Sequence, residues 1–512
     1  VAIDVQTPGS PGWWLQRLFW MLGNQKRQMR LAKLRSYRIG DPPAPVGAEA
    51  AKEAYEAFVK KARLNLAELV NSVLADRIQP VGFQTGLDDD ETGDETAGAM
   101  WRRASMDLVS ANVHDMVFTF GEAYAIVGPE SALTGSPIVT AEDPRFIVGD
   151  PDPAEPGFLR AALKVVYDDT TDEDRAYLYL PGQVLVARNT KTQRAASAIQ
   201  AGTARAPMLY LDANTWDWDQ ARSGVIQHGR MPVVRFNNKD EMGEIEPHID
   251  TLDRINHQIL QAMVIATMQA FRVRAIKNLP ARDPETGKDI DYSSLLTLDP
   301  GSVWQLPADV DLWESATTDL NPLLQAIKDD LERLASATKT PMHMLAAGGV
   351  NQSAEGAQLQ REGLVFKAED RIMRLRPSWN QVASLMLLVS GDQARADLAK
   401  LWTIFAPPER LSLSERADAA SKAATDLSLK SRLIKIWQMS PADAERNLSE
   451  KEDEQILAIQ LAQAQAANPQ PVGGNQGGNN QQQNGNQQGQ QNGNGQQGNQ
   501  QPPAKSGANA GG

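Results

Sequence analysis

From Ala262 to Ala270 the chain reads AMVIATMQA, without a charge on any side. The residues leading into it, EIEPHIDTLDRINHQILQ, place Ile249, Leu252, Ile255, Ile259 and Met263 in steps of three and four. The whole run predicts one helix of ~25 residues, roughly 37 Å long at 1.5 Å per residue. Pro247 suits its first position. A helix apolar all round is buried or lies between subunits. A chain that carries one must wrap it in a large body or share it with another copy.

Charge narrows the function. The 512 residues sum to −13, which argues against gripping nucleic acid over a broad surface, because that depends on clustered Lys and Arg. No cysteine is present, so disulfides, thiolate metal sites and Cys nucleophiles are excluded. No apolar run approaches the roughly 20 residues of a membrane span. In the opening GWWLQRLFWMLG, Trp13, Trp14, Phe19 and Trp20 are expected to pack on the body or on a neighbouring subunit. No basic segment precedes them, so a secretory signal is not expected.

Residues 17–38 hold Arg17, Lys26, Arg27, Arg30, Lys33, Arg35 and Arg38 and no acid. Their spacing predicts a helix with one basic face, either solvated or turned to DNA or an acidic partner. Between Asp41 and Glu244 helix and strand mix. AYEAFVKKARLNLAELVNSVLADRI, with Phe58, Ala62, Leu66 and Leu69, reads as a helix, and so does WRRASMDLVSANVHDMVFTF, which Gly121 ends. PIVTA, RFIV, LRAALKVVYDD, RAYLYLP and QVLVARN, bounded by Pro, Gly and Asp, predict an antiparallel meander. LDDDETGDE lacks the ligand alternation of a calcium loop.

After an irregular stretch over 272–317, with strand-like pieces such as SVWQL, Asn321 is expected to cap a helix that Pro322 opens and Thr340-Pro341 stops. The loop KTPMHMLAAGGVNQSAEG follows; it has neither the preceding strand nor the Gly-Lys-Ser/Thr ending of a phosphate loop. Ser353 would cap the next helix. There Val365, Ala368, Ile372, Leu375, Trp379, Val382 and Met386 form a heptad-like seam, kinked at Pro377. Short helices are expected from Pro408 to Ala467, Ser440 capping one of them. Residues 469–512, mostly Gly, Asn and Gln, predict disorder.

No catalytic constellation emerges. His114, His228, His248, His257 and His343 form no His-Glu-x-x-His pair, and neither a nucleophile elbow nor a dinucleotide fingerprint is present. No metal, cofactor or enzymatic activity is expected.

The order of these pieces resembles the portal proteins of tailed bacteriophages, above all those of long-tailed phages of actinobacteria. HDMVFTFGEAYAIV, GRMPVVRFNNKDEMGEIEPHIDTLDRIN, TKTPMHML and NQSAEGAQLQREGLVFKAEDRI carry the resemblance, which covers roughly 40 to 468. It implies an α+β portal fold: an N-terminal arm (1–40), a mixed wing (41–244), a stem helix (245–270), a clip (271–317), a second stem helix (318–338), a tunnel loop (339–355), a long kinked helix and wing return (356–407), a helical crown (408–468) and the tail. It also implies a homo-dodecameric ring at one capsid vertex, with double-stranded DNA passing through its channel without sequence specificity. Its partners would be the major capsid protein, the terminase large subunit and the head–tail connector or adaptor. Its place would be the virion, and the host cytoplasm during assembly, with no membrane.

Carried over by position, the resemblance puts Met342, His343, Gly348, Gly349, Val350, Asn351 and Gln352 beside DNA. It puts Arg272, Arg274, Lys277, Arg282 and Lys288 on the docking clip. The uncharged half-helix and the heptad-like seam, both too apolar for a lone exposed helix, put Ile259, Met263, Val365, Ile372 and Trp379 between subunits. Two rivals remain: the packaging motor ATPase, which lacks its lysine loop here, and another capsid structural protein such as a minor head or adaptor protein. The loop itself has a plainer reading, a connector between helices.

Overall fold

A computed structural model describes residues 3–44, 52–87, 93–189, 211–270, 274–278, 282, 287–289, 311–314, 318–345, 354–409, 413–439 and 441–467. The chain divides into two compact units, Val1–Glu450 and Lys451–Gly512. The first is the mixed α+β body that the sequence predicts.

Two sheets organise the body. Strands β4 (Ile147–Pro151), β5 (Leu159–Asp168), β6 (Glu173–Leu180), β7 (Gln183–Asn189) and β8 (Asp217–Val225) form an antiparallel meander in that order. PIVTA belongs elsewhere. As β3 (Pro137–Glu142) it pairs with β2 (Glu122–Glu130), which also pairs with β9 (Val233–Asn237). Strand β1 (Pro80–Gln84) pairs with β12 (Trp402–Phe405).

Three runs that read as single helices are each broken in two. The basic stretch divides into Pro11–Leu22 and Gln25–Arg38, where Gly23 ends one helix and the Asn24 side chain caps the other. Asn65 caps Leu66–Ala75 after Lys52–Ala62. Glu95–Arg103 and Met106–Phe120 part at Ser105, whose φ of 54° no helix can hold. Side-chain caps satisfy the exposed N–H groups of a new first turn, so a break costs little where Asn stands.

Helix Pro11–Leu22 buries Leu15, Leu18, Phe19 and Leu22 against Val148, Leu163, Leu178 and Trp216 of the meander side. Phe19 and Trp216 lie 5.0 Å apart, while Trp20 stays 72% exposed. Helix Ala354–Val389 runs unbroken through Pro377. Its seam lies inside the chain's own core, where Ala368, Ile372, Leu375, Trp379, Val382 and Met386 meet Ala123, Ala125, Phe236, Val113 and Val117. Further on come helices Leu413–Lys422 and Leu429–Lys435, and then Pro441–Ala467, which at 27 residues is not short. Ser440, Ser353, SVWQL and the Gly/Asn/Gln tail lie outside the described residues.

Candidate channel and ring interface

After Ile245, Pro247 sits in a short 3-10 turn, Glu246–His248, rather than in the α-helix itself. Helix Ile249–Ala270 follows. Its first half points Ile249, Leu252 and Ile255 into a core shared with Leu31, Leu34, Leu66, Val70 and Leu334. In the second half, Leu260 packs on Val59 and Ala62, with Ile259 and Met263 at the margin. The uncharged run is therefore only half covered: Ala262, Met263, Val264 and Ile265 keep part of their surface open, and Ala266 is exposed. An uncharged helix face left open in one chain is the sort of surface that a second chain covers.

Helix Asn321–Thr338 lies against it. Leu320 is the N-cap, so Asn321 is the first helical residue rather than the cap, and Asp319 accepts from its N–H. The two helices are joined by Arg254, whose Nε and Nη2 donate to Asp330 at 2.7 and 2.9 Å. Gln258 adds a bond at 3.2 Å. The hydrogen-bonded Arg254 holds the Asp330 carboxyl below its ordinary range.

A second cluster ties both helices to Ala354–Val389. Glu244 accepts from Arg371 Nε at 2.5 Å, from Lys367 Nζ at 2.8 Å and from Asn238 Nδ2 at 2.9 Å. Lys367 also donates to the Thr338 carbonyl at 2.8 Å, on the last turn of helix Asn321–Thr338. Burial alone would raise the Glu244 carboxyl; Lys367 and Arg371 outweigh it and keep it lowered. The segment that enters helix Ile249–Ala270, the end of Asn321–Thr338 and the long helix are thus tied together through Glu244 and Lys367. A depression of about 520 Å³ adjoins it, walled by Met242, His248, Lys339 and Phe366.

The loop leaves from this point. Lys339, in the left-handed region at φ 57°, ends Asn321–Thr338. A turn of helix, Met342–Leu345, buries Met342 and exposes His343. Gly348, Gly349, Val350, Asn351 and Gln352 lie outside the described residues.

Strand β10 (Arg274–Lys277) pairs with β11 (Asp311–Glu314), and Lys277 is exposed. Arg282 donates to Asp289 at 3.0 Å on an open surface, and Lys288 is exposed. Arg272 lies outside the described residues.

The basic N-terminal stretch is solvated only in part: Lys26, Lys33 and Arg35 are exposed, while three of its arginines turn to acids of the body. Arg27 and Arg235 converge on Glu122 at 2.7 and 2.8 Å, Arg30 forks onto Glu246 at 2.6 Å, and Arg38 meets Asp115 at 2.8 Å. Burial pushes the Glu122 carboxyl up, but the two guanidiniums prevail and hold it at about 2. No local pattern marks these pairs, because their acids lie far along the chain.

Three of the five residues expected between subunits, Ile259, Met263 and Val365, keep part of their surface open. Ile372 is 7% exposed and Trp379 is 0% exposed, which leaves no surface for a neighbour at Trp379. Its seam was used up inside the chain. The outward residues of the same helix are Phe366 and Met373, 62% and 61% exposed, which periodicity alone did not single out. Among the described residues no group of three or more His, Asp or Glu could hold a metal ion.

A family model described as "Phage portal protein, SPP1 Gp6-like" matches residues 27–457. No curated protein matches the chain. Solved structures similar to this chain include the following two. One is "Neck of native GTA particle computed with C12 symmetry", at 10% identity, covering 77% of this chain and 94% of that one, TM-score 0.38. The other is "Virion of native gene transfer agent (GTA) particle", at 11% identity, covering 80% and 98%, TM-score 0.37. At such scores neither likeness bears on assembly.

Proposed function

Since the chain belongs to the phage portal protein family of the SPP1 Gp6-like type, we propose that it forms a dodecameric ring at one capsid vertex, through which double-stranded DNA is packaged and ejected. Membership of a portal family speaks against the readings as a motor ATPase and as a minor head or adaptor protein. The observation that carries the proposal, beside the family, is the half-covered, uncharged end of helix Ile249–Ala270. A ring gives every copy of that end a neighbour, and Ile259, Met263 and Val365 are the residues of this interface.

In this reading the paired stem helices line or flank the channel, joined by Arg254–Asp330. The 271–317 segment, with Lys277, Arg282 and Lys288 among its charges, docks the terminase large subunit and later the head–tail connector by charge complementarity. The crown, 408–468, faces the capsid interior. The ring sits in the virion beside the major capsid protein and assembles in the host cytoplasm.

Residues 339–355 project toward the DNA. A loop there works best without fixed positive charge, since each neutralised phosphate adds salt-dependent hold. Replacing Gly348 and Gly349 by lysine adds two cations per subunit. Rings are expected to form, and packaging to slow, more at low salt where screening is weak. Normal packaging by such rings at low and high salt would reduce the loop to a connector.

A further inference from the structure

A cavity of about 590 Å³ opens between the two sheets of the body, and none of its lining residues has a place in the channel, clip or ring interface above. Its floor is one face of the meander. Tyr177 lies opposite Val186 and Tyr179 opposite Val184 in the β6–β7 ladder, so all four side chains stand on the same side of the sheet. Ile126 and Val127 of β2, with Leu388 and Val389 at the end of the long helix, close other sides. Small-molecule sites are of this kind: roughly 300–1,000 Å³, mostly apolar, with a few placed polar groups.

Most of the polar groups around this space are donors. Two steps along β7, from Val184 to Val186, span five along β8, from Gly224 to Asp219, so β8 bulges there. Ser223 holds the bulge: its Oγ accepts from the Val186 N–H at 3.0 Å and donates to the Asp219 carbonyl at 2.8 Å. A bulge re-aims the side chains it carries, and this one brings Arg222 to the cavity wall. Arg222 Nε stands 3.6 Å from the Asp219 carboxylate, too far for a hydrogen bond, so its donors are left for another partner. The Tyr177 and Tyr179 hydroxyls have no hydrogen-bond partner among the described residues. Burial pushes the Tyr179 pKa up and keeps that hydroxyl a donor. His228 Nδ1 accepts from the Arg230 N–H at 3.2 Å, which leaves the proton of the neutral ring on Nε2. Among the described lining residues the one carboxylate is Glu130, exposed at the end of β2.

We propose that this cavity binds a small ligand with an apolar body and one anionic head, of the class of medium-chain carboxylates. The body lies on the Val184/Val186 floor, and the head accepts from Arg222 and the free tyrosine hydroxyls. Charge complementarity sets the class. An ionised carboxylate only accepts, which is what donors around an apolar floor require; an ammonium or a bare hydrocarbon would leave them unpaired. The guanidinium–carboxylate pair fixes orientation, and the buried apolar body supplies most of the affinity. The site is complete within one chain and does not rest on the ring reading.

Titration calorimetry of the full chain with octanoate, octanol and octylamine tests it. Octanoate is expected to bind once per chain with a Kd of about 1 mM or tighter. Octanol and octylamine are expected to bind at least about tenfold more weakly, the worth of one charge-assisted hydrogen bond. Arg222→Gln, at a half-exposed side chain, is expected to weaken octanoate by about tenfold and to leave octanol unchanged. Val184→Trp fills the floor and is expected to abolish binding of all three probes; Leu388→Trp fills the space from the helix side should the first variant misfold. Equal affinity for the three probes, or unweakened octanoate binding by Arg222→Gln, overturns the proposal and leaves an unselective apolar groove. Undiminished binding by a folded, filled variant places octanoate elsewhere and overturns it too, as does the absence of octanoate binding to the parent.

Discussion

His114 sits at the centre of the body with its Nε2 accepting from Trp379 Nε1 at 3.0 Å, and its ring also bonds the Ile78 backbone. Full burial pushes its pKa down to about 4. The unfolded chain takes up that proton near the ordinary imidazole value of about 6.5. Stability from the neutral ring is therefore complete above pH ~6.5 and is lost as pH falls through about 4, a loss of about 3 kcal/mol by linkage. Denaturant midpoints at pH 7 and pH 4.5 should differ less in His114→Gln than in the parent; equal differences would remove His114 from the acid response. At this scale the sequence was half legible. His114, which belongs to no catalytic pattern in the sequence, is found packed. The inward turn of Arg27, Arg30 and Arg38 was hidden, because the sequence shows a run of bases but not the distant Glu122, Glu246 and Asp115 that receive them. Trp379 misled for a related reason. A heptad-like seam reports that something packs there, and its own chain got there first.

Elements begin and end where backbone geometry leaves one residue few options. Gly121 closes helix Met106–Phe120 at φ 85° and hands the chain to β2. A Cβ there would stand 2.2 Å from the Glu241 carbonyl oxygen. Gly121→Ala adds left-handed strain of about 1–2 kcal/mol to a backbone clash that side-chain movement cannot relieve. A loss of at least about 2 kcal/mol in chemical denaturation is expected; a loss under ~0.5 kcal/mol would mean that the Glu241 turn yields freely. This terminus was readable, since glycine after a long helical run and before EAYAIV has few other uses. The breaks at Gly23, Asn65 and Ser105 were not, because apolar periodicity carries across a cap when both helices pack on one body. Likewise PIVTA alternates like any strand, and nothing local says that it joins β2 rather than the meander.

Over the whole molecule, the most telling stretch was visible from the start: a charge-free end on helix Ile249–Ala270, now seen half covered where the helix packs on Val59 and Ala62. What periodicity could not give was which faces remain for a neighbour after the chain has folded on itself. Phe366 and Met373 on the long helix are such faces, found only by burial. All of them make sense in a ring and little sense in a lone subunit. Electron microscopy of the purified protein, parent beside Met263→Asp, tests this most directly. The parent should show closed rings with a central channel. The variant, with an unpaired charge in the half-covered contact, should fall largely to monomers and fragments. A parent that is monomeric at micromolar concentration, or a Met263→Asp protein that forms rings as readily as the parent, would contradict the account.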